Sequence, residues 1–248
     1  MEAQDGAEAE DQPRAGRNTR RSGKMQSIVL KNVVKDYRSN EAYKTLRTNI
    51  EFSGAENKVI VLTSSTPNEG KSTVSLGLAM ALAEGGKKVL FIDADLRKSV
   101  LQGRHKVTEE VKGLTHYLSG QTTRDNVIYQ TQVHNLNMIF AGVVPPNPSE
   151  LLGNSRFEKL IADAKSEYDY VIIDAPPLGS VIDAAVISKV CDASVLVVAS
   201  RVVSYKFVRT VKDQLEKTGC PILGVVLNKV DMDKNKYYGK YYGKYYGE

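Results

Sequence analysis

Six short apolar runs, at residues 59–62, 89–92, 136–140, 171–173, 194–198 and 222–227, are separated by stretches with helical periodicity, and this alternation fixes the class of fold. The runs are rich in Val and Ile and nearly continuous rather than alternating with polar residues. Strands of that kind are buried on both faces, as in a parallel sheet covered by helices. The intervening stretches 72–84, 149–165 and 206–218 predict three of those helices, with Ser149 placed as an N-cap after Pro145-Pro146-Asn147-Pro148. Residues 40–52 predict a further helix ahead of the first strand.

The two ends of the chain have a different character. Residues 1–24 are acidic, then basic, and carry no large aliphatic side chain, so they predict a disordered leader; Met25 offers a second start for translation. The intervening domain is expected over 25–230, and 231–248 reads as a flexible tail in which a Tyr-Tyr-Gly unit occurs three times. Within the tail lie Tyr237, Tyr238, Tyr241, Tyr242, Tyr245 and Tyr246. No apolar run approaches the roughly 18 residues needed to cross a bilayer. Cys191 and Cys220 have no metal-ligand spacing and read as free thiols, so a cytoplasmic location is expected. The net charge of +5 is spread along the chain without a long basic block, and no nucleic-acid partner is expected.

The chemistry begins where the first run ends. Ser65-Thr66-Pro67-Asn68-Glu69-Gly70-Lys71-Ser72-Thr73 joins a strand to a helix and follows the phosphate-loop pattern G-x-x-x-x-G-K-[ST], with Ser65 in place of the first glycine. Backbone N–H groups of such a loop favour a polyphosphate, and Glu69, Gly70, Lys71, Ser72 and Thr73 are the expected nucleotide contacts. Lys71 can reach the β- and γ-phosphates, and the Ser72 hydroxyl can ligate Mg²⁺. Two more runs end in carboxylates: Asp93 and Asp95 after the second, Asp174 after the fourth. Ligands in open α/β sheets bind at the carboxyl ends of strands, where such groups can hold Mg²⁺ directly or through water. Arg97 is a candidate source of positive charge near the phosphates, the alternative being an exposed Arg97–Lys98 pair. The expected fold is thus a P-loop NTPase α/β domain: a doubly wound, mostly parallel sheet with helices on both faces.

The set STPNEGKST, FIDADLR and VIIDAPP resembles the bacterial tyrosine kinases, whose Walker A is followed by a D-x-D-x-R motif and a D-x-x-P motif. The similarity extends over about residues 26–248, including Gly142-Val143-Val144-Pro145-Pro146-Asn147-Pro148-Ser149-Glu150-Leu151-Leu152 and the tyrosine tail. The chain looks like the stand-alone type from capsular and exopolysaccharide loci. That resemblance implies ATP and Mg²⁺ as cofactors, Asp93 as the base for the tyrosine hydroxyl, and Asp95 and Asp174 as holders of the metal with Ser72. It implies phosphorylation of the tail tyrosines between neighbouring subunits. It also implies a ring-shaped assembly through an E-x-x-R-x-x-R helix, matched here in part by Glu41, Lys44 and Arg47, and recruitment to the inner face of the membrane by the cytoplasmic segment of a separate activator. A cognate tyrosine phosphatase is a further partner of this kind.

Three other readings share parts of the pattern. A partition or septum-site ATPase has the same strand-end aspartates but usually an additional Lys near the start of its loop, which 63–66 lack. A GTPase would use Asn228-Lys229-Val230-Asp231 as N-K-x-D, yet the strand ending at Asp174 continues A-P-P rather than with a D-x-x-G switch, so Asn228 is expected on the adenine side. A nucleotide-gated adaptor would bind ATP and use the tail for partners alone.

Overall fold

The computed structural model describes residues 26–31, 37–107 and 111–231. The leader, Met25 and the six tail tyrosines lie outside the described residues. Eight strands form one sheet in the order β1-β4-β5-β3-β6-β2-β7-β8. They are β1 (Gln26–Ser27), β2 (Val59–Ser64), β3 (Val89–Asp93), β4 (Tyr129–Gln130), β5 (Leu136–Ile139), β6 (Tyr170–Asp174), β7 (Ala193–Ala199) and β8 (Ile222–Asn228). All pairings are parallel except β4 with β5. The six predicted strands are therefore present. The two-residue strands β1 and β4 are additions too short to leave a pattern in the sequence.

Every residue of β2, β3, β6 and β7 is buried, which is why these runs are continuous. Successive side chains nevertheless divide between two cores, as the two-residue period of a strand requires. Val59 and Val61 enter one core with Leu90, Ile92, Val171 and Ile173. Ile60 and Leu62 enter the other with Phe91 and Ile172. The first core is closed by α4 (Leu114–Leu118), α6 (Ser155–Glu167), α7 (Asp183–Ser188) and α8 (Tyr205–Glu216), and the second by α2 (Lys71–Glu84) with α3 (Leu101–Arg104). At the sheet edge, β8 is only partly covered, and Val225 and Leu227 are about half exposed.

Helix α2 is apolar on nearly all sides because it is covered twice, by the sheet beneath and by α1 (Tyr37–Phe52) above. Gly77 makes the second contact close. A Cβ there would stand 2.3 Å from the Tyr43 ring. The Tyr43 hydroxyl donates to the Thr73 carbonyl at 3.2 Å, and Arg47 donates to the Ala81 carbonyl at 3.0 Å. Arg47, grouped in the sequence with Glu41 and Lys44 as a self-association element, is thus engaged by its own α2. Lys44 pairs with Glu41 at 2.6 Å along the outer side of α1. No helix among the described residues is long and apolar enough to cross a membrane.

The helix expected over 149–165 is two helices, α5 (Pro148–Leu152) and α6. Gly153 ends the first, and the Asn154 side chain caps the second by accepting from Phe157 N–H at 3.0 Å. The expectation of Ser149 as an N-cap is corrected. Pro148, whose fixed φ suits the first helical position, makes Asn147 the flanking residue and draws Ser149 into the helix.

Candidate phosphate-binding and catalytic site

The chain leaves β2 at Ser64, winds through 65–70 and enters α2 at Lys71, at the carboxyl ends of the strands. Two left-handed residues shape the turn, Asn68 with φ 66° and Gly70 with φ 88°. Gly70 is required twice over, since a Cβ would also stand 2.1 Å from the Asn228 amide nitrogen. That nitrogen donates to the Glu69 carbonyl at 2.8 Å, and Lys229 Nζ donates to the Asn68 carbonyl at 2.6 Å. The end of β8 therefore supports the loop from one side. Asn228 thus holds the phosphate loop through its amide nitrogen.

Inside the loop, Lys71 is buried and donates to Asp174 Oδ1 at 2.7 Å, while lying 3.3 Å from Ser72 Oγ. The Ser75 hydroxyl, one helical turn after Lys71, is 2.9 Å from the same carboxylate oxygen and 2.9 Å from the Lys71 carbonyl. Its single proton serves one of them at a time. Asp174 Oδ2 is buried with no partner. An uncompensated carboxylate oxygen at the foot of a phosphate loop is a poor arrangement for a protein alone and a good one for a cation beside the phosphates. Ser72 and Asp95 line the cavity above the loop and, with Asp174, are the residues that would hold Mg²⁺. The described residues alone make no cluster of three or more acidic, His or Cys ligands.

Strand pairing sets Asp93 directly beside Asp174. Burial, reinforced by the Asp174 charge, pushes the Asp93 carboxyl up to about 7, against the opposing pull of Ser99 and Lys71. Ser99 donates to Asp93 Oδ2, and the Asp95 N–H donates to Oδ1 at 3.3 Å. Asp95 Oδ1 in turn accepts from Lys98 N–H at 3.0 Å. Asp93 is thus enclosed by the short loop that carries Asp95, with no face open to solvent.

Three residues expected to touch nucleotide also hold the protein together. Arg97 forms a two-pronged pair with the fully buried Asp183, at 2.8 and 2.9 Å, and donates to Ser149 Oγ at 3.0 Å. Ser149 itself donates to Asp183 at 2.8 Å. The Thr73 hydroxyl accepts from Arg104 at 2.8 Å. The Glu69 carboxylate is folded into the loop, where it accepts from Thr66 and Ala199 N–H groups at 2.7 and 3.0 Å. A carboxylate repels phosphate, so any direct contact from Glu69 falls to its backbone. Arg97 still lines the cavity of about 810 Å³ that opens over Lys71, Ser72 and Asp95.

Sequence reasoning missed Ser75, Ser99, Arg104 and Asp183. Ser75 had a signal, lying four residues after Lys71 and so on the same helical face. Asp183 had a weaker one: a charge inside the apolar stretch Val181-Ile182-Asp183-Ala184-Ala185-Val186 requires a buried partner.

A phosphate loop at a strand end, a buried Lys–Asp pair and a second strand-end carboxylate in register define a P-loop nucleotide-binding domain. Residues 57–217 match the family described as AAA domain. The chain is 46% identical over 194 residues to tyrosine-protein kinase CpsD of Streptococcus agalactiae, covering 78% of this chain and 85% of that protein. The structure is similar to the kinase domain of Escherichia coli tyrosine kinase ETK, with a TM-score of 0.74 and 39% identity over 77% of this chain and 75% of the other. It is also similar to the septum site-determining protein MinD of Pyrococcus horikoshii, solved with Mg-ADP, with a TM-score of 0.61 and 26% identity over 75% of this chain and 76% of that one. The chain belongs to the bacterial tyrosine kinase family.

Proposed function

We propose that the chain is an ATP-dependent protein-tyrosine kinase that modifies its own C-terminal tyrosine cluster, with one subunit acting on the tail of another. The observation that carries this reading is the convergence of Lys71, Asp93 and Asp174 at the carboxyl ends of adjacent strands, with one Asp174 oxygen left for a cation. Membership of the family supports the choice of tyrosine as acceptor.

The loop amides and Lys71 would bind the β- and γ-phosphates, with Lys71 leaving Asp174 to do so. Ser72, Asp95 and Asp174 would hold Mg²⁺, which supplies positive charge to the transferring phosphoryl group. A tyrosine hydroxyl, with a pKa near ~10, needs a base at neutral pH. As its oxygen bonds to the γ-phosphorus, the bond from that phosphorus to the β,γ-bridging oxygen breaks and ADP leaves. The phenolic proton would pass to Asp93, which requires the loop that carries Asp95 and Ser99 to move aside so that the acceptor replaces Ser99 at Oδ2. Placement and electrostatics supply most of the rate.

The tail joins the domain at Asp231, next to Lys229, which contacts the phosphate loop. Full modification would add about −1.5 to −2 charge per tyrosine, enough to drive tails from neighbouring sites and to regulate a larger assembly. Recruitment by a membrane activator and a role in capsular or exopolysaccharide production belong to the same proposal. Mixing two variants tests the exchange between subunits. A Lys71→Met chain with an intact tail is incubated in Mg-ATP with a chain whose six tail tyrosines are Phe. Phosphotyrosine is expected on the Lys71→Met chain, and its absence, when the unaltered chain is modified, would rule out action between subunits.

A second reading rests on the likeness to the septum-site protein, which shares the fold. Steady ATP hydrolysis without tyrosine modification would favour it.

A further inference from the structure

We propose that Glu69 is a positioning residue: an internal strut that holds the phosphate loop in its binding shape before nucleotide arrives. The residue is 1% exposed. One oxygen accepts from the Thr66 N–H inside the loop, and the other accepts from the Ala199 N–H at the end of β7. The backbone carbonyl of the same residue accepts from Asn228 at the end of β8. Residue 69 therefore ties the loop to both strands on that side of the sheet by two hydrogen bonds and braces it internally by a third, none of which involves ligand.

Charge alone argues that this residue should hinder the site. A carboxylate beside a polyphosphate is a like-charge neighbour, and no Lys or Arg pairs with Glu69 among the described residues. Geometry argues the reverse. Without the carboxylate, the Thr66 and Ala199 amides lose their acceptor, and the loop is free to turn those groups elsewhere. Nucleotide would then have to order the loop as it binds, and that ordering would be subtracted from affinity. The two effects have opposite signs, which makes the choice between them measurable. The inference rests on the phosphate-loop reading and deepens it.

The test is titration of the full chain with ATP, ADP and AMP, without Mg²⁺, for the unaltered protein, Glu69→Ala and Glu69→Gln. A strut predicts that Glu69→Ala weakens ATP and ADP by tenfold or more while changing AMP by less than threefold, because the loop grips the outer phosphates. Glu69→Gln keeps one amide acceptor, sets an NH₂ against the other N–H, and falls between the two. Thermal unfolding and a binding stoichiometry of one confirm that each variant is folded, and a general structural fault would lower the active fraction rather than the affinity. Tighter or unchanged ATP binding by Glu69→Ala would overturn the proposal and leave simple charge repulsion. Equal losses for ATP and AMP would also overturn it. If the unaltered chain binds none of the three, the phosphate-loop reading fails first and the strut with it.

Discussion

Asp174→Asn is expected to separate nucleotide binding from phosphoryl transfer. In the structure Lys71 and Asp174 are both buried and joined at 2.7 Å, so a nucleotide must take the ammonium group away from the carboxylate. A neutral Asn holds that group less firmly, and Lys71 already borders the cavity, so the side chain is not stranded when its partner weakens. ATP without Mg²⁺ should therefore bind the variant at least as tightly as the unaltered chain. Transfer in Mg-ATP should fall about a thousandfold, since the oxygen available to the metal has lost its charge. Lys71→Met should differ by losing both binding and transfer. Calorimetric titration without metal, beside a phosphotyrosine assay with it, checks the pair. Weaker metal-free binding by Asp174→Asn would mean that the Lys71–Asp174 contact organises the loop rather than competes with its ligand.

Arg97→Ala is expected to act chiefly on stability. Asp183 is fully buried, and its charge is answered by Arg97 and by the Ser149 hydroxyl. Removing the guanidinium strands a buried carboxylate. A completely buried pair broken this way costs about 3–5 kcal/mol, but Arg97 is itself 39% exposed, which brings the expected loss to about 2–3 kcal/mol. For a domain of this size that is a fall in Tm of roughly 4–12 °C. The double change Arg97→Ala with Asp183→Asn should recover most of it, because no buried charge then remains. Differential scanning calorimetry of the unaltered chain, the single variant and the double variant measures both steps. Equal instability in the single and double variants would show that packing, not charge, is what Arg97 contributes.

The frame of the molecule was legible because two-sided burial writes itself into consecutive residues. Residues 59–62, 89–92 and 171–173 could only be strands inside a covered sheet. The helix after Gly70 was equally clear, since the phosphate-loop pattern around Gly70-Lys71-Ser72 calls for a helix directly after it. What escaped the sequence was pairing at a distance. Arg97 meets Asp183 across 86 positions, and Lys71 meets Asp174 across 103, and no local period carries such contacts. The sequence therefore suggested Arg97 beside the phosphates but not the anchoring of its guanidinium to Asp183. Nor did the sequence show that Arg47, grouped with Glu41 and Lys44 in a self-association motif, also bonds its own α2. The break at Gly153 and Asn154 was visible in residue type, but the helical spacing of the apolar residues runs through it and masked the boundary. Glu69 was the least legible, because a motif assigns a loop position to its ligand and says nothing of where the side chain turns.

The measurement that tests the central claim most directly is intact mass with site mapping after incubation in Mg-ATP, for the unaltered chain and for Lys71→Met. Addition of whole phosphate units confined to Tyr237, Tyr238, Tyr241, Tyr242, Tyr245 and Tyr246, and absent from Lys71→Met, is the result expected. An unchanged mass while ATP is steadily hydrolysed would contradict the kinase reading and favour an ATPase of the septum-site kind.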